Sequence, residues 1–364
     1  MSGEDRSARA ALLRVALAAA EPLYAVAAAA RNGLFDAGIR KTHRLPRPAV
    51  SVGNITTGGT GKTPLIAWLA RRLRESGRRV AILSRGYKAE PGKLGDEQLM
   101  LDRELNAPDG RSESHIPIVA NPDRVAGARE VLRQWPQTEV FLLDDGFQHR
   151  RAGRDLDIVL VSAVNPFGYG RVLPRGMLRE PLGGLRRAGA VVITHADQIA
   201  EAELGSIERT IRRHNAAAPV YRAAHAHAAI RSAGVATSAP PDHSPEDLRG
   251  KSWFAFCGIG DPGTFLRQLE RAGGRNVGHR RFGDHHRYVP EDLAALRREA
   301  VAAGADVMIT TEKDWAKLSD VPAAMAGDAP PIWRVGLEIR FHADDERRLL
   351  EQVTAVLGTL RGRG

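Results

Sequence analysis

The sequence predicts an α/β protein: a parallel sheet flanked by helices, followed by a second, smaller α/β series. Three observations carry that expectation. Short β-branched runs alternate with helix-forming segments along most of the chain. One such run, Ala49–Gly53, ends in a glycine-rich loop that passes directly into a helix-forming stretch. Between residues 223 and 250 Ala, His, Ser and Pro predominate and no periodicity lasts, after which the alternation resumes.

Taken in order, the first element is an Ala/Leu-rich helix over residues 11–30, interrupted by Arg14, Glu21 and Pro22. Its longest uncharged stretch, Pro22 to Ala30, is nine residues, and a membrane span needs about twenty. No cleavable leader pattern is visible. The helix is followed by Arg31, Arg40, Lys41, Arg44 and Arg47 against Asp36 alone. An amphipathic helix with a basic stretch behind it suits a protein resting on an anionic membrane surface. A helix packed on the protein's own core with a solvated basic loop accounts for the same residues, and the sequence leaves both readings open.

Strands are expected at Ala49–Gly53, Arg79–Ser84, Ile116–Ala120, Val140–Leu143, Asp157–Ser162 and Ala190–Thr194, with helices such as Leu65–Ser76 and Val125–Gln134 between them. The second helix follows Asn121-Pro122-Asp123, a good start signal. The second series has strands near Ser252–Cys257, Val277–Phe282, Asp306–Thr310 and Ile332–Val335, and helices near Gly263–Ala272, Pro290–Ala303 and Ala343–Leu360. The expected organisation is an N-terminal segment 1–48, a main domain 49–225, a linker 226–250 and a smaller domain 251–364.

The chemistry begins in the first strand and loop, Val50-Ser51-Val52-Gly53-Asn54-Ile55-Thr56-Thr57-Gly58-Gly59-Thr60-Gly61-Lys62-Thr63-Pro64. Strand, Gly-rich loop, Lys-Thr and helix in that order form a phosphate cradle. Small residues let backbone N–H groups curl around an anion, and the helix N-terminus adds its partial positive charge. Residues 56–63 (Thr56, Thr57, Gly58, Gly59, Thr60, Gly61, Lys62, Thr63) are therefore the expected nucleotide-phosphate site, which makes the sheet P-loop NTPase-like. Lys62 would reach the β/γ-phosphates and the Thr63 hydroxyl would ligate Mg²⁺. The usual pattern has Gly where this chain has Thr56, but Gly58, Gly59 and Gly61 supply the flexibility. After strand Val140–Leu143 come Asp144 and Asp145, two carboxylates at a strand's carboxyl end, where one would hold Mg²⁺ directly or through water.

At 364 residues, 43% hydrophobic and 26% charged, the chain is globular. Its net charge of +10 favours anionic partners, but 46 of the 53 basic residues are arginine in an Ala-rich chain, and aromatics are only 5%. No interleaved basic–aromatic surface is present, so nucleic acid is not an expected partner. The single cysteine, Cys257, excludes an intrachain disulfide. His225, His227, His285 and His286 lack thiolate partners and helical ligand spacing, so no zinc site is expected.

Further motifs occur in a fixed order: Ser84-Arg85-Gly86-Tyr87, Gly95-Asp96-Glu97, Asp144-Asp145-Gly146-Phe147-Gln148-His149, Leu173-Pro174-x-Gly176-x-Leu178-Arg179-Glu180, Asp284-His285 and Thr311-Glu312-Lys313-Asp314. With the phosphate loop, they make the chain similar to the tetraacyldisaccharide 4'-kinase family of lipid A biosynthesis, from the N-terminal helix to near residue 340. The resemblance implies an enzyme that moves the γ-phosphoryl group of ATP to the 4'-hydroxyl of an acylated glucosamine disaccharide 1-phosphate. It implies ATP and Mg²⁺, Asp96 as general base oriented by His285, Asp144 and Asp145 assisted by Glu180 at the metal, and Arg124 on nucleotide phosphate. Arg85, Tyr87, Glu97, Gln148 and Arg179, which stand in the same motifs, are the expected substrate contacts. A peripheral position on the cytoplasmic face of the bacterial inner membrane is implied too, with no protein partner. The rival class is a P-loop switch or metal-delivery GTPase. Thr194-His195-Ala196-Asp197 stands where such proteins carry a Lys-containing base-recognition tetrapeptide, but His195 lacks the lysine's aliphatic platform. Thr311–Asp314 follows a strand and is expected to cap a helix, although Lys313 is also suited to touching a phosphate.

Overall fold

A computed structural model describes residues 8–86, 94–106, 115–233, 235, 242–284, 286–318 and 329–361, without the side chains of 8–14, 96, 227–229 and 359–361. The chain forms two compact units, one made of residues 1–93, 116–224 and 340–364 and the other of 94–115 and 225–339.

Unit 1 opens with α1 (Ala8–Asp36), which runs through Pro22. Its sheet contains β1 (Ala49–Asn54), β2 (Val80–Ser84), β3 (Ile118–Ala120), β4 (Val140–Asp144), β5 (Leu156–Ser162), β6 (Ala190–Thr194) and the start of β7 (Val220–Ser232). The strands lie in the order β3-β2-β4-β1-β5-β6-β7, and their pairings are parallel. Helices α2 (Lys62–Glu75), α4 (Arg124–Gln134) and α5 (Glu201–His214) provide crossovers. This is the expected parallel sheet flanked by helices. Every residue of β1 is buried, as a central strand covered on both faces requires. One core, around Leu83, Val125, Val131 and Phe141, packs on α4. The other, around Phe147, Val161, Ile193, Ile207 and Ile211, packs on α5 and receives Tyr24 and Ala25 of α1.

Unit 2 has β8 (Ser252–Cys257), β9 (Arg275–Arg281), β10 (Val307–Thr311) and β11 (Ile332–Phe341), ordered β11-β10-β8-β9 with parallel pairings. Its helices are α3 (Asp96–Leu105), α6 (Pro262–Ala272), α7 (Pro290–Ala302) and α8 (Glu312–Leu318). Two cores, around Trp253 with Phe265 and around Phe256 with Leu293, lie on the sheet's faces.

The units depart from the expected contiguous domains in three places. The segment carrying Asp96 belongs to unit 2, where α3 packs on α8. The C-terminal α9 (Asp345–Arg361) belongs to unit 1: Gln352 donates to Gly189 O at 2.8 Å and accepts from the Tyr221 hydroxyl at 2.8 Å. The expected linker 226–250 begins as strand, because β7 continues to Ser232. Tyr221, Ala223 and His225 are buried and alternate with partly exposed neighbours, so the period-2 signal is present but carried by Ala and His in place of β-branched residues.

Candidate active site

The phosphate loop leaves the carboxyl end of β1, whose register sets Val52 beside Asp144 on β4. Gly58 and Gly61 take positive φ of 115° and 82°, conformations that glycine adopts without strain. Gly61 precedes α2, and no side chain caps that helix. Its first N–H groups thus retain their capacity for an anion. The loop is fixed from three sides. Asn54 Nδ2 donates to Thr60 Oγ1 at 2.9 Å, and Thr194 Oγ1 donates to Thr60 O at 2.9 Å. Thr57 N donates to Met177 O at 2.7 Å, Thr56 bridges Leu178, and Arg179 N donates to Ile55 O at 2.7 Å. The Leu173–Glu180 motif is therefore the wall against which the phosphate loop is held. Thr194 of the tetrapeptide 194–197 serves the same loop, while His195 faces Ser162 at 3.2 Å.

The motif Asp144–His149 approaches β1 very closely. A Cβ on Gly53 would lie 2.7 Å from Phe147 Cβ, and one on Gly146 would lie 2.6 Å from Ser51 Oγ. Both glycines are needed for that approach. Asp145 then sits with φ of 50°, a left-handed conformation that Asp tolerates better than most residues. Its Oδ2 accepts from Arg179 at 2.6 Å, and Lys62 Nζ stands 3.8 Å from Oδ1. Burial alone would raise the Asp145 pKa, but Lys62 and Arg179, helped by Arg124, hold it below the usual carboxylate range. Ser84 Oγ donates to Asp144 Oδ2 at 3.3 Å.

The residues fit a hard cation. Asp145 Oδ1 is buried and makes no hydrogen bond, so an ionised oxygen next to Lys62 is available for coordination. Among the described residues no three His, Cys, Asp or Glu groups converge on one point. Mg²⁺ takes one or two carboxylates and fills its shell with phosphate oxygens and water, and the free Asp145 Oδ1 is a donor of that kind.

Two of the expected site residues, Glu180 and Arg124, are buried within hydrogen-bond networks. Glu180 is 2% exposed. Its two oxygens accept from Arg187 NH2 at 2.9 and 2.8 Å, from Gln148 Nε2 at 3.0 Å and from Asn32 Nδ2 at 2.9 Å. A carboxylate so placed orients Gln148 and Arg187. Arg124, also 2% exposed, donates to Asp144 O at 3.0 Å and Asn121 O at 3.4 Å. Burial lowers its pKa against the attraction of Asp144 and Asp145. It clamps the end of β4 and adds positive charge beneath the two carboxylates. Gln148 is held by Asn54 O at 2.9 Å and by Arg179 at 3.4 Å.

Unit 2 carries the motifs at 95–97, 284–285 and 311–314, and unit 1 the motif at 84–87. Asp96 opens α3, and Glu97 in its first turn is exposed. Thr311 accepts from Asp314 N at 3.1 Å, so the Thr-Glu-Lys-Asp motif does cap a helix, α8. Asp314 is buried and accepts from Gly258 N at 3.0 Å, and Lys313 Nζ pairs with Asp284 at 2.9 Å. Arg85 is exposed just past β2. Tyr87, His285 and the Asp96 side chain lie outside the described residues.

Asn54, Thr194, Arg187 and Arg154 carry no expected site role, yet all four hold the site. Arg154 pairs with Asp157 at 2.9 Å and donates to the carbonyls of Phe147, His149 and Ala152. Asn54 had a signal in its place between Gly53 and the phosphate loop, and Thr194 in its place at the head of the tetrapeptide 194–197.

A phosphate cradle on a parallel sheet, with a lysine and paired carboxylates at the strand ends, defines a P-loop phosphotransferase class. Residues 13–357 match the family model described as tetraacyldisaccharide-1-P 4'-kinase. The chain is 39% identical over 350 residues to a tetraacyldisaccharide 4'-kinase of Anaeromyxobacter dehalogenans, covering 92% of this chain and 89% of that protein. It is 37% identical over 314 residues to one from Halothermothrix orenii, covering 82% and 81%. The crystal structure of LpxK from Aquifex aeolicus in complex with ATP superposes with a TM-score of 0.70 at 28% identity, covering 95% of this chain and 99% of that one. The chain belongs to the tetraacyldisaccharide 4'-kinase family.

Proposed function

We propose that the cradle of unit 1 holds ATP while its γ-phosphoryl group passes to the 4'-hydroxyl of a tetraacylated glucosamine disaccharide 1-phosphate, the step of lipid A biosynthesis that defines the family. The observation that carries the reading is the cluster Lys62–Asp145–Arg179 at the mouth of a loop whose helix is left without a side-chain cap. Backbone N–H groups of residues 58–63 and Lys62 bind the phosphates, and Lys62 neutralises charge that develops on the γ-phosphoryl oxygens. Mg²⁺, held by Thr63 with Asp144 and Asp145, would supply further charge neutralisation. Arg124 and Glu180 act one step back, fixing β4 and Gln148. Asp96 takes the proton of the sugar hydroxyl, a poor nucleophile at neutral pH, and His285 orients Asp96. Arg85, Tyr87, Glu97, Gln148 and Arg179 contact the acceptor.

The acceptor is amphiphilic, and α1 supports a position at the membrane surface. Among the described residues no helix is long and apolar enough to cross a membrane. Val15, Leu23 and Val26 are 68%, 76% and 67% exposed, and the other exposed positions from 15 to 30 are Ala or Pro. Tyr24 and Ala25 pack on the unit 1 core. One face of the helix is thus packed inward, and the other presents an uncharged apolar stripe that suits the acyl–headgroup boundary of the inner membrane's cytoplasmic leaflet. The five basic groups behind it are all exposed, and of these Arg31 and Arg47 also bond to Gln148 O and Thr138 O.

Nucleotide turnover with ATP or GTP, with and without lipid acceptor in detergent micelles, tests the reading. ATP turnover that requires acceptor is the expected result. GTP preference, or acceptor-independent turnover at the full rate, would return the chain to the switch class.

A further inference from the structure

The apolar stripe of α1 faces outward, but three of its polar side chains reach inward to the segments that build the active site. The Tyr24 hydroxyl donates to Arg179 O at 2.9 Å. Arg31 donates to Gln148 O, and Asn32 Nδ2 donates to Glu180 Oε2 at 2.9 Å. Arg150 returns the contact, donating to Asn32 O at 2.8 Å and pairing with Asp36 at 2.7 Å. The residues touched, Gln148, Arg179 and Glu180, all belong to the two motifs that face the phosphate loop.

These contacts lie on a continuous hydrogen-bonded path. Asn32 donates to Glu180, and Gln148 donates to the same carboxylate at 3.0 Å. The second N–H of the Gln148 amide is directed at Asn54 O at 2.9 Å. With both donors committed, the amide oxygen must turn to Arg179, whose guanidinium lies 3.4 Å away and reaches Asp145 Oδ2 at 2.6 Å. Asp145 Oδ1 then stands 3.8 Å from Lys62 Nζ. Each link fixes the direction of the next, because an amide has separate donor and acceptor ends and a guanidinium only donates.

We propose that Tyr24 and Asn32 on α1 are positioning residues for phosphoryl transfer, so that the helix that meets the lipid also sets the geometry of Asp145 and Lys62. Tyr24 holds the main chain of Arg179, and Asn32 completes the set of donors around Glu180. Neither touches nucleotide or acceptor, and both act through Arg179 and Gln148. A bilayer that seats α1 thereby steadies the site, which links catalysis to the surface where the acceptor resides. The inference rests on the reading of the Lys62–Asp145 cluster as the transfer site.

The test uses the full chain with Tyr24→Phe, Asn32→Ala, the isosteric Asn32→Asp, and the Tyr24→Phe/Asn32→Ala pair, with Lys62→Ala in parallel. Tyr24→Phe removes one oxygen and Asn32→Asp changes no volume, so packing is retained in both. Asn32→Asp also sets a second carboxylate against Glu180 and is expected to lose more activity than Asn32→Ala. Steady-state transfer in mixed micelles, cosedimentation with phosphatidylglycerol-containing vesicles and thermal midpoints are measured for each. Loss of one such hydrogen bond predicts a kcat reduced about tenfold in Tyr24→Phe and in Asn32→Ala, and further in Asn32→Asp. KM for ATP should stay within about twofold and the vesicle-bound fraction should be unchanged. Parental kcat in the paired variant, with Lys62→Ala inactive, overturns the inference and leaves the site intact. So does a fall in kcat that only follows the folded or vesicle-bound fraction. Parental activity of Lys62→Ala overturns the site reading and the inference with it.

Discussion

Replacing Asp145 with Asn removes one charge from the centre of the site while keeping its shape. Asn accepts the left-handed backbone that Asp145 adopts at φ of 50°, so the turn should persist. The charge itself is well placed: Oδ2 accepts from Arg179 at 2.6 Å, and Oδ1 stands 3.8 Å from Lys62 Nζ. At that separation an effective dielectric of about 20 gives roughly 4 kcal/mol for the Lys62 interaction. Lys62 and Asp145 side chains are 17% and 31% exposed, and screening reduces the figure to about 2 kcal/mol, which measures how firmly Asp145 holds Lys62 in place before reaction. A divalent cation at the unpartnered Oδ1 interacts more strongly, which brings the expected loss in kcat to about 10²–10³-fold. The variant also leaves Lys62, Arg179 and Arg124 facing one another with less opposing charge, so it should be modestly less stable without nucleotide. The assay is steady-state transfer from labelled ATP to lipid acceptor across a Mg²⁺ titration, with thermal unfolding measured alongside. The reasoning predicts a Mg²⁺ requirement shifted upward by tenfold or more. A kcat within about threefold of the parent and an unchanged Mg²⁺ profile would refute it.

Three more outcomes are expected. Burial, reinforced by Arg124, lowers the His149 pKa to about 4, whereas the unfolded chain protonates it near 6.5. Between those values the unfolded state binds more protons, so stability falls on acidification; urea unfolding should lose about 1–2 kcal/mol from pH 7 to 5, and His149→Gln should remove that part of the dependence. Asp96→Asn should lose about 10²–10⁴ in kcat with ATP affinity retained, His285→Ala should resemble it, and the double variant should be little worse than either; additive losses would show independent roles. Reversing Arg40, Lys41 and Arg44 to Glu should weaken sedimentation with anionic vesicles and raise KM for lipid but not for ATP; undiminished vesicle binding would mean that the segment is only a solvated loop.

The parallel sheet and the phosphate loop were legible because both have local signatures. Buried β1 is an unbroken small and β-branched run, and Gly58 and Gly61 occupy the positive-φ positions that a phosphate cradle needs. Asp145 could be read from its place at a strand end. The hydrogen-bond partners of Arg124 and Glu180 were not legible, because a motif gives a residue's neighbourhood but not which atoms its side chain meets. Arg124 turns to two backbone carbonyls, and Glu180 is saturated by Arg187, Gln148 and Asn32. β7 was missed for a different reason, since Ala and His carry its alternation. The placement of α3 with unit 2 had no local signal, because it depends on packing against α8, more than two hundred residues away in sequence.

The central claim is that the Lys62–Asp145 cradle transfers phosphate from ATP to the acylated disaccharide. Labelled γ-phosphate transfer to purified tetraacyldisaccharide 1-phosphate in detergent micelles tests it most directly, with the parent and a folded Lys62→Ala variant side by side. The account predicts label at the 4' position with the parent and a loss of at least about 10²-fold with Lys62→Ala. Unlabelled lipid with the parent, or near-normal transfer by Lys62→Ala, would contradict it.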